Sequence, residues 1–150
     1  MPATNAINDI PIKTSGGGSF DFTTGNDVPI LHEIGHALRR LSDQDESTVI
    51  DLQAIPMAPG EEQRILQLLG AGEVKATLDA LGQSEVAETT YPGVWTVIHR
   101  NTHGETVGKY IEITRCPDIL CSQDADIKAS VERIGETLSE LEMKLSGGSA

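Results

Sequence analysis

The sequence predicts an α+β fold: a mainly antiparallel sheet covered by about three helices in a single domain. Three observations predict it. Apolar residues recur at helical spacing in three separated segments of the 150-residue chain. Between them lie short runs rich in valine, isoleucine and threonine, which suit strands. The runs after the second helix are joined by brief glycine-containing turns, so neighbouring strands must reverse direction.

Taken in order, residues 1–26 carry little periodicity and include SGGGS at 15–19, which reads as a flexible leader. The folded domain is expected over 27–145, followed by an uncommitted tail over 146–150. The first helix starts at Asp27, a good N-cap, with Pro29 tolerated in the opening turn. Its stripe is Leu31, Ile34, Leu38 and Leu41. STVIDLQAI (47–55) reads as a buried strand. EEQRILQLLG follows as a second helix, with two glutamates at its positive end and Gly70 as its stop. Three or four strands are expected in the segments 72–81, 84–91, 92–100 and 105–115, the last two joined by the hairpin turn NTHG. VWTVI (94–98) has apolar residues of both parities and belongs at the sheet centre, with Trp95 in the core. A last helix, from about Ser122 to Leu145, places Ile127, Val131, Ile134, Leu138, Leu141 and Leu145 on one side.

Composition narrows the function. A formal net charge of -12 opposes binding to phosphate backbones or anionic membranes, so no nucleic acid partner is expected. No apolar run approaches the roughly 20 residues of a membrane span, so no direct membrane insertion is expected. Without a signal-like N-terminus or a disulfide framework, the cytoplasm is the expected compartment.

The sharpest motif is HEIGH at 32–36. In H-E-x-x-H the two imidazoles sit one turn apart and bind zinc, and the glutamate activates the metal-bound water. His32, Glu33 and His36 thus define a zincin-type metallohydrolase alternative. Against it, a catalytic zinc needs a third protein ligand, and ALRRLSDQDE after His36 supplies no matching histidine. Arg39, one turn on, adds a positive charge beside the dication. The histidines also point away from the apolar stripe, as on a solvated helix face. We therefore expect no metal, no cofactor and no catalytic residue.

LLGAGEV (68–74) holds two glycines, but in the order helix, turn, strand, the reverse of a phosphate loop. Cys116 and Cys121 in RCPDILCSQ approach one another if PDIL forms a turn, which leaves a redox role open beside idle thiols. Gly70, Gly72, Tyr91 and Gly93 lie at strand entrances, where small residues and free backbone can meet another chain. They are the expected partner-binding positions.

From Pro29 to about Leu138 the order of segments resembles the hydrogenase expression/formation family HupH/HyaF, in its C-terminal conserved region. The matching stretches are LHEIGHALRRL, VIDLQAIPMAPGEEQRILQLLGAGEV, SEVAETTYPGVWTVIHRN and YIEITRCPDIL. The resemblance implies a non-enzymatic, chaperone-like accessory protein for maturation of a membrane-bound uptake [NiFe] hydrogenase. Its implied partners are the precursor of the small iron–sulfur subunit, before export, and a thioredoxin-like companion of the HupG/HyaE type. An acidic domain suits a client with a basic signal segment. The family pattern gives the first helix no metal role, which makes HEIGH a coincidence of helix composition.

Overall fold

The computed structural model describes residues 25–148. The helix α1 (Asp27–Gln44) leads into the strand β1 (Thr48–Asp51), and α2 (Glu61–Leu69) follows. Then come β2 (Lys75–Asp79), β3 (Gln83–Glu88), β4 (Val94–Arg100), β5 (Thr106–Ile113) and α3 (Asp124–Gly147). All strand pairs are antiparallel, in the order β1-β5-β4-β3-β2, which puts β4 at the centre as its mixed-parity apolar run requires.

One sheet face carries Ile50, Val94, Ile111 and Ile113, in register across β1, β5 and β4. Ile30, Ile34, Ala37 and Leu41 of α1 and Ile65 and Leu69 of α2 close over them. The buried stripe of α1 keeps Ile34 and Leu41 of the expected one but takes Ile30 and Ala37 in place of Leu31 and Leu38, which are only half-buried at its edge. The opposite face buries a smaller cluster, Val86, Trp95 and Val97, against Leu78, Tyr110 and Leu120. The Trp95 indole N–H donates to the Thr114 carbonyl at 3.1 Å, which satisfies its polar end in the core.

Two expectations need correction. Asp27 is not the N-cap: Asn26 precedes the helix, and the buried Asp27 carboxylate instead pairs with Arg64 of α2 at 3.3 Å. Beside it, buried Glu61 accepts N–H bonds from Gly25 (2.8 Å) and Ala58 (3.0 Å), so the starts of α1 and α2 are tied together. The 47–55 run is not one buried strand. β1 ends at Asp51, whose side chain accepts from the Gln53 N–H at 2.9 Å and turns the chain into a 3-10 turn at Leu52–Ala54. β1 is also an edge strand in which only Ile50 is buried.

α1 and α2 do the covering, whereas α3 contributes no buried residue. α3 also runs through Ser146 to Gly147, past the expected end of that helix at Leu145. No helix among the described residues is long and apolar enough to cross a membrane. The expected leader over 1–26 lies almost wholly outside the described residues.

Candidate functional site

The connection between β3 and β4 is pinned at both ends. The Thr89 N–H donates to the Val94 carbonyl (2.9 Å), and the Val94 N–H donates to the Tyr91 carbonyl (3.0 Å). The Thr90 hydroxyl and N–H both donate to the Leu69 carbonyl, at 2.6 and 3.0 Å, and so cap the C-terminus of α2. The turn holds Tyr91 outward, 51% exposed.

The two glycines of the α2–β2 connection make this clamp possible. Gly70 has φ +68°, and a Cβ there would lie 2.6 Å from Thr90 Cγ2. At Gly72 a Cβ would lie 2.4 Å from the Thr89 carbonyl oxygen, while the Gly72 N–H donates to Glu88 at 2.8 Å. Gly70, Gly72, Tyr91 and Gly93 are thus gathered around one connection. Gly72 is required where backbone passes backbone, and Gly70 by its positive φ and by the Thr90 side chain that stands against it, so both support the clamp.

Three clefts open around this connection. Tyr91 walls an apolar one of about 330 Å³ with Leu31, Ile34, Leu38, Leu68 and Leu69. Gly35 belongs to the same wall and has open space where a side chain would stand. Gly93 lines a second, of about 410 Å³, with Leu38, Leu41, Glu88, Pro92 and Arg115. Gly70 lines a third and narrower one, about 200 Å³, with Leu66, Ala87 and Ile98. A depression of about 530 Å³ lies elsewhere, between the turns at Asp79–Gln83 and Arg100–Gly104. The Tyr91 cleft and the narrower Gly70 cleft are both walled chiefly by apolar side chains, and the Tyr91 cleft is the wider of the two. Exposed apolar walls of this kind bind another apolar surface.

His32, Glu33 and His36 are exposed on α1, with the two imidazole centroids 6.4 Å apart. Among the described residues there is no group of three or more His, Cys, Asp or Glu side chains placed to hold a metal ion. Among the described residues, the HEIGH stretch presents two imidazoles with no third side chain placed beside them to bind a metal.

Cys116 and Cys121 are both exposed, and a short 3-10 turn at Asp118–Leu120 brings their sulfurs to 3.8 Å. The thiol–thiol hydrogen bond with Cys121 pushes the Cys116 pKa up, assisted by desolvation and by the negative charge of Asp118.

A polar pair that sequence reasoning missed lies on the other sheet face. Ser84 Oγ and His99 Nδ1 are 2.8 Å apart, and the imidazole meets the Tyr110 ring edge-on at 5.8 Å. Nearby, burial and then Asp118 raise the Glu112 pKa, while His99 lowers it. A hydroxyl on an imidazole is half of a nucleophile–base pair. Here it joins residues directly opposite on β3 and β4, the ordinary geometry of a cross-strand polar pair. Only the strand register puts the two side by side, and no local spacing in the sequence signals it.

Comparison with known proteins gives a consistent result. The family model for the HupH hydrogenase expression protein, C-terminal conserved region, matches residues 25–141. The hydrogenase expression/formation protein HoxQ of Azotobacter vinelandii is 29% identical over 119 residues, covering 78% of this chain and 42% of the relative. HupH of Rhizobium leguminosarum bv. viciae is 29% identical over 109 residues, covering 73% of this chain and 39% of its own. The chain thus spans about two-fifths of the length of these relatives. Among solved structures, the hydrogenase expression protein HupH from Thiobacillus denitrificans superposes with a TM-score of 0.75 at 37% identity. That match covers 78% of this chain and 98% of the other. The α+β sheet, its helices and a family match over most of the chain converge: this protein belongs to the HupH hydrogenase expression protein family, through that family's C-terminal conserved region.

Proposed function

We propose that this domain is a non-catalytic, chaperone-like accessory unit in hydrogenase maturation. Its client is the precursor of the small iron–sulfur subunit of a membrane-bound uptake [NiFe] hydrogenase, held in the cytoplasm before export. One observation carries the reading for this chain: the apolar cleft beside Tyr91, in which Leu68 and Tyr91 are each about half exposed. Such a surface takes up an apolar segment of a client, and the net charge of -12 favours a client with a basic leader. The family match supplies the hydrogenase context. The paired thiols of Cys116 and Cys121 are where a thioredoxin-like companion of the HupG/HyaE type engages the domain.

The test is recovery of the chain, with a small affinity tag, from cells expressing the hydrogenase. The precursor small subunit is expected to co-purify. Tyr91→Asp and Leu68→Asp, both at exposed positions, are expected to lose it while melting as the parent chain does. Recovery of unrelated clients alone, or undiminished binding by both folded variants, contradicts the proposal.

A further inference from the structure

α3 is the longest element of the structure and the only α-helix among the described residues with no buried residue. Its apolar residues Ile127, Val131, Ile134, Leu138, Leu141 and Leu145 are between 49% and 79% exposed. Their separations alternate between four and three residues along the sequence. This four–three alternation is the a/d spacing by which two helices pair along a seam. Among the described residues nothing covers this seam, and its spacing suits pairing with another helix.

We propose that the partner is a second copy of this chain, and that two α3 helices pair as an antiparallel coiled coil. Val131, Leu138 and Leu145 take the a positions, and Ile127, Ile134 and Leu141 the d positions. Setting Ile134 against the partner's Leu138 also sets Val131 against the partner's Leu141 and Ile127 against the partner's Leu145. All six residues are then covered in matched a–d layers, and the two-fold axis passes beside Gly135.

The flanking charges select this orientation. Lys128 and Glu142 both occupy e positions. Antiparallel pairing brings e against e, so each Lys128 faces the partner's Glu142, and the symmetry makes the contact twice. Parallel pairing brings e against g instead. Lys128 would then face Gln123, and Glu142 would face Thr137, with no opposite charges in contact. In a chain of net charge -12, which otherwise repels its own copy, two such contacts discriminate strongly. The seam is about 27 Å long at 1.5 Å per residue. Such a contact lies near the lower limit of specific interfaces, roughly 1,000 Å² in total, which corresponds to a reversible dimer.

Sedimentation equilibrium of the whole chain tests this. A concentration-dependent monomer–dimer equilibrium is expected, with Leu138→Asp monomeric and still helical by circular dichroism. Lys128→Glu and Glu142→Lys alone should each weaken the dimer about tenfold or more, because each sets like charges in contact twice. Mixing the two variants should restore parental affinity in a heterodimer, whose total charge equals that of the parent dimer. A chain that stays monomeric up to about 0.5 mM, where even weak dimers with millimolar constants begin to form, overturns the proposal. So does a dimer indifferent to Leu138→Asp, or single reversals that the mixture does not rescue. A monomer whose α3 becomes protected only on addition of a hydrogenase subunit assigns the seam to that subunit and likewise overturns it.

Discussion

α1 and α3 carry the same kind of apolar stripe and spend it differently. In α1, Ile30, Ile34, Ala37 and Leu41 vanish into the main core, while every residue of α3 stays exposed or half-exposed. The difference comes from what stands opposite each helix. The α1 stripe meets Ile113 and Val94 on a sheet face that α2 also covers. On the other face Leu120, from the segment after β5, packs against the cluster of Val86, Trp95 and Val97, and α3 adds no buried residue to either face. An amphipathic pattern thus states that a partner exists, without saying whether it belongs to the same fold.

The largest expected effect comes from cutting the packed side. Ile65 is fully buried, and Ile65→Ala should cost about 2–5 kcal/mol in urea unfolding. Val131→Ala, at 66% exposure in α3, should cost the monomer less than about 0.5 kcal/mol. Equal losses would erase the contrast between the two helices.

Gly72→Ala ranks next, at about 1–3 kcal/mol, because its Cβ would sit 2.4 Å from the Thr89 carbonyl oxygen. A bulky substitution there reports on folding, and for that reason Tyr91 and Leu68 are the cleaner probes of client binding. If Gly72→Ala melts like the parent, the clamp between the two connections is not what holds the Tyr91 cleft open.

Asp27→Asn removes one charge of a pair whose acidic side is buried, and should cost about 1–2 kcal/mol. It tests whether α1 is fixed to α2 by that tie as well as by the core. No loss would leave the apolar contacts and the Glu61–Gly25 hydrogen bond as the fixing.

The smallest effects belong to the exposed motifs. Alkylation of Cys116 should show a midpoint above the ordinary thiol value, since its contact with Cys121 holds the proton on. Cys121→Ser weakens that contact and should move the midpoint down. An unchanged midpoint would locate the cause in Asp118 and desolvation. His36→Ala should change stability by less than about 0.5 kcal/mol, because the side chain is exposed on the uncovered face of α1. A larger loss, seen only when zinc is present and absent when zinc is removed from the parent, would restore the metal reading of HEIGH.

Much of this was legible in the residues. Gly70 ends α2 as its position predicts, and the mixed parity of VWTVI places β4 at the centre. Local chemistry suffices for such features. The role of Asp27 was not legible, because an N-cap and an ion pair with a residue 37 positions away look alike in sequence. The grouping of Gly70, Gly72, Tyr91 and Gly93 at turns was visible, but the division into backbone supports and apolar wall needed the approach of Thr89 and Thr90. Ser84 and His99 meet only through the β3–β4 register.

Native-state amide hydrogen exchange tests the central contrast most directly, since one experiment reads both regions in the same molecule. Protection in α1 and α2 should approach the global unfolding free energy at every protein concentration. In α3 it should be far lower in dilute solution and rise with concentration as the seam finds its partner. Protection of α3 equal to that of α1 in a dilute, monomeric sample would contradict the account.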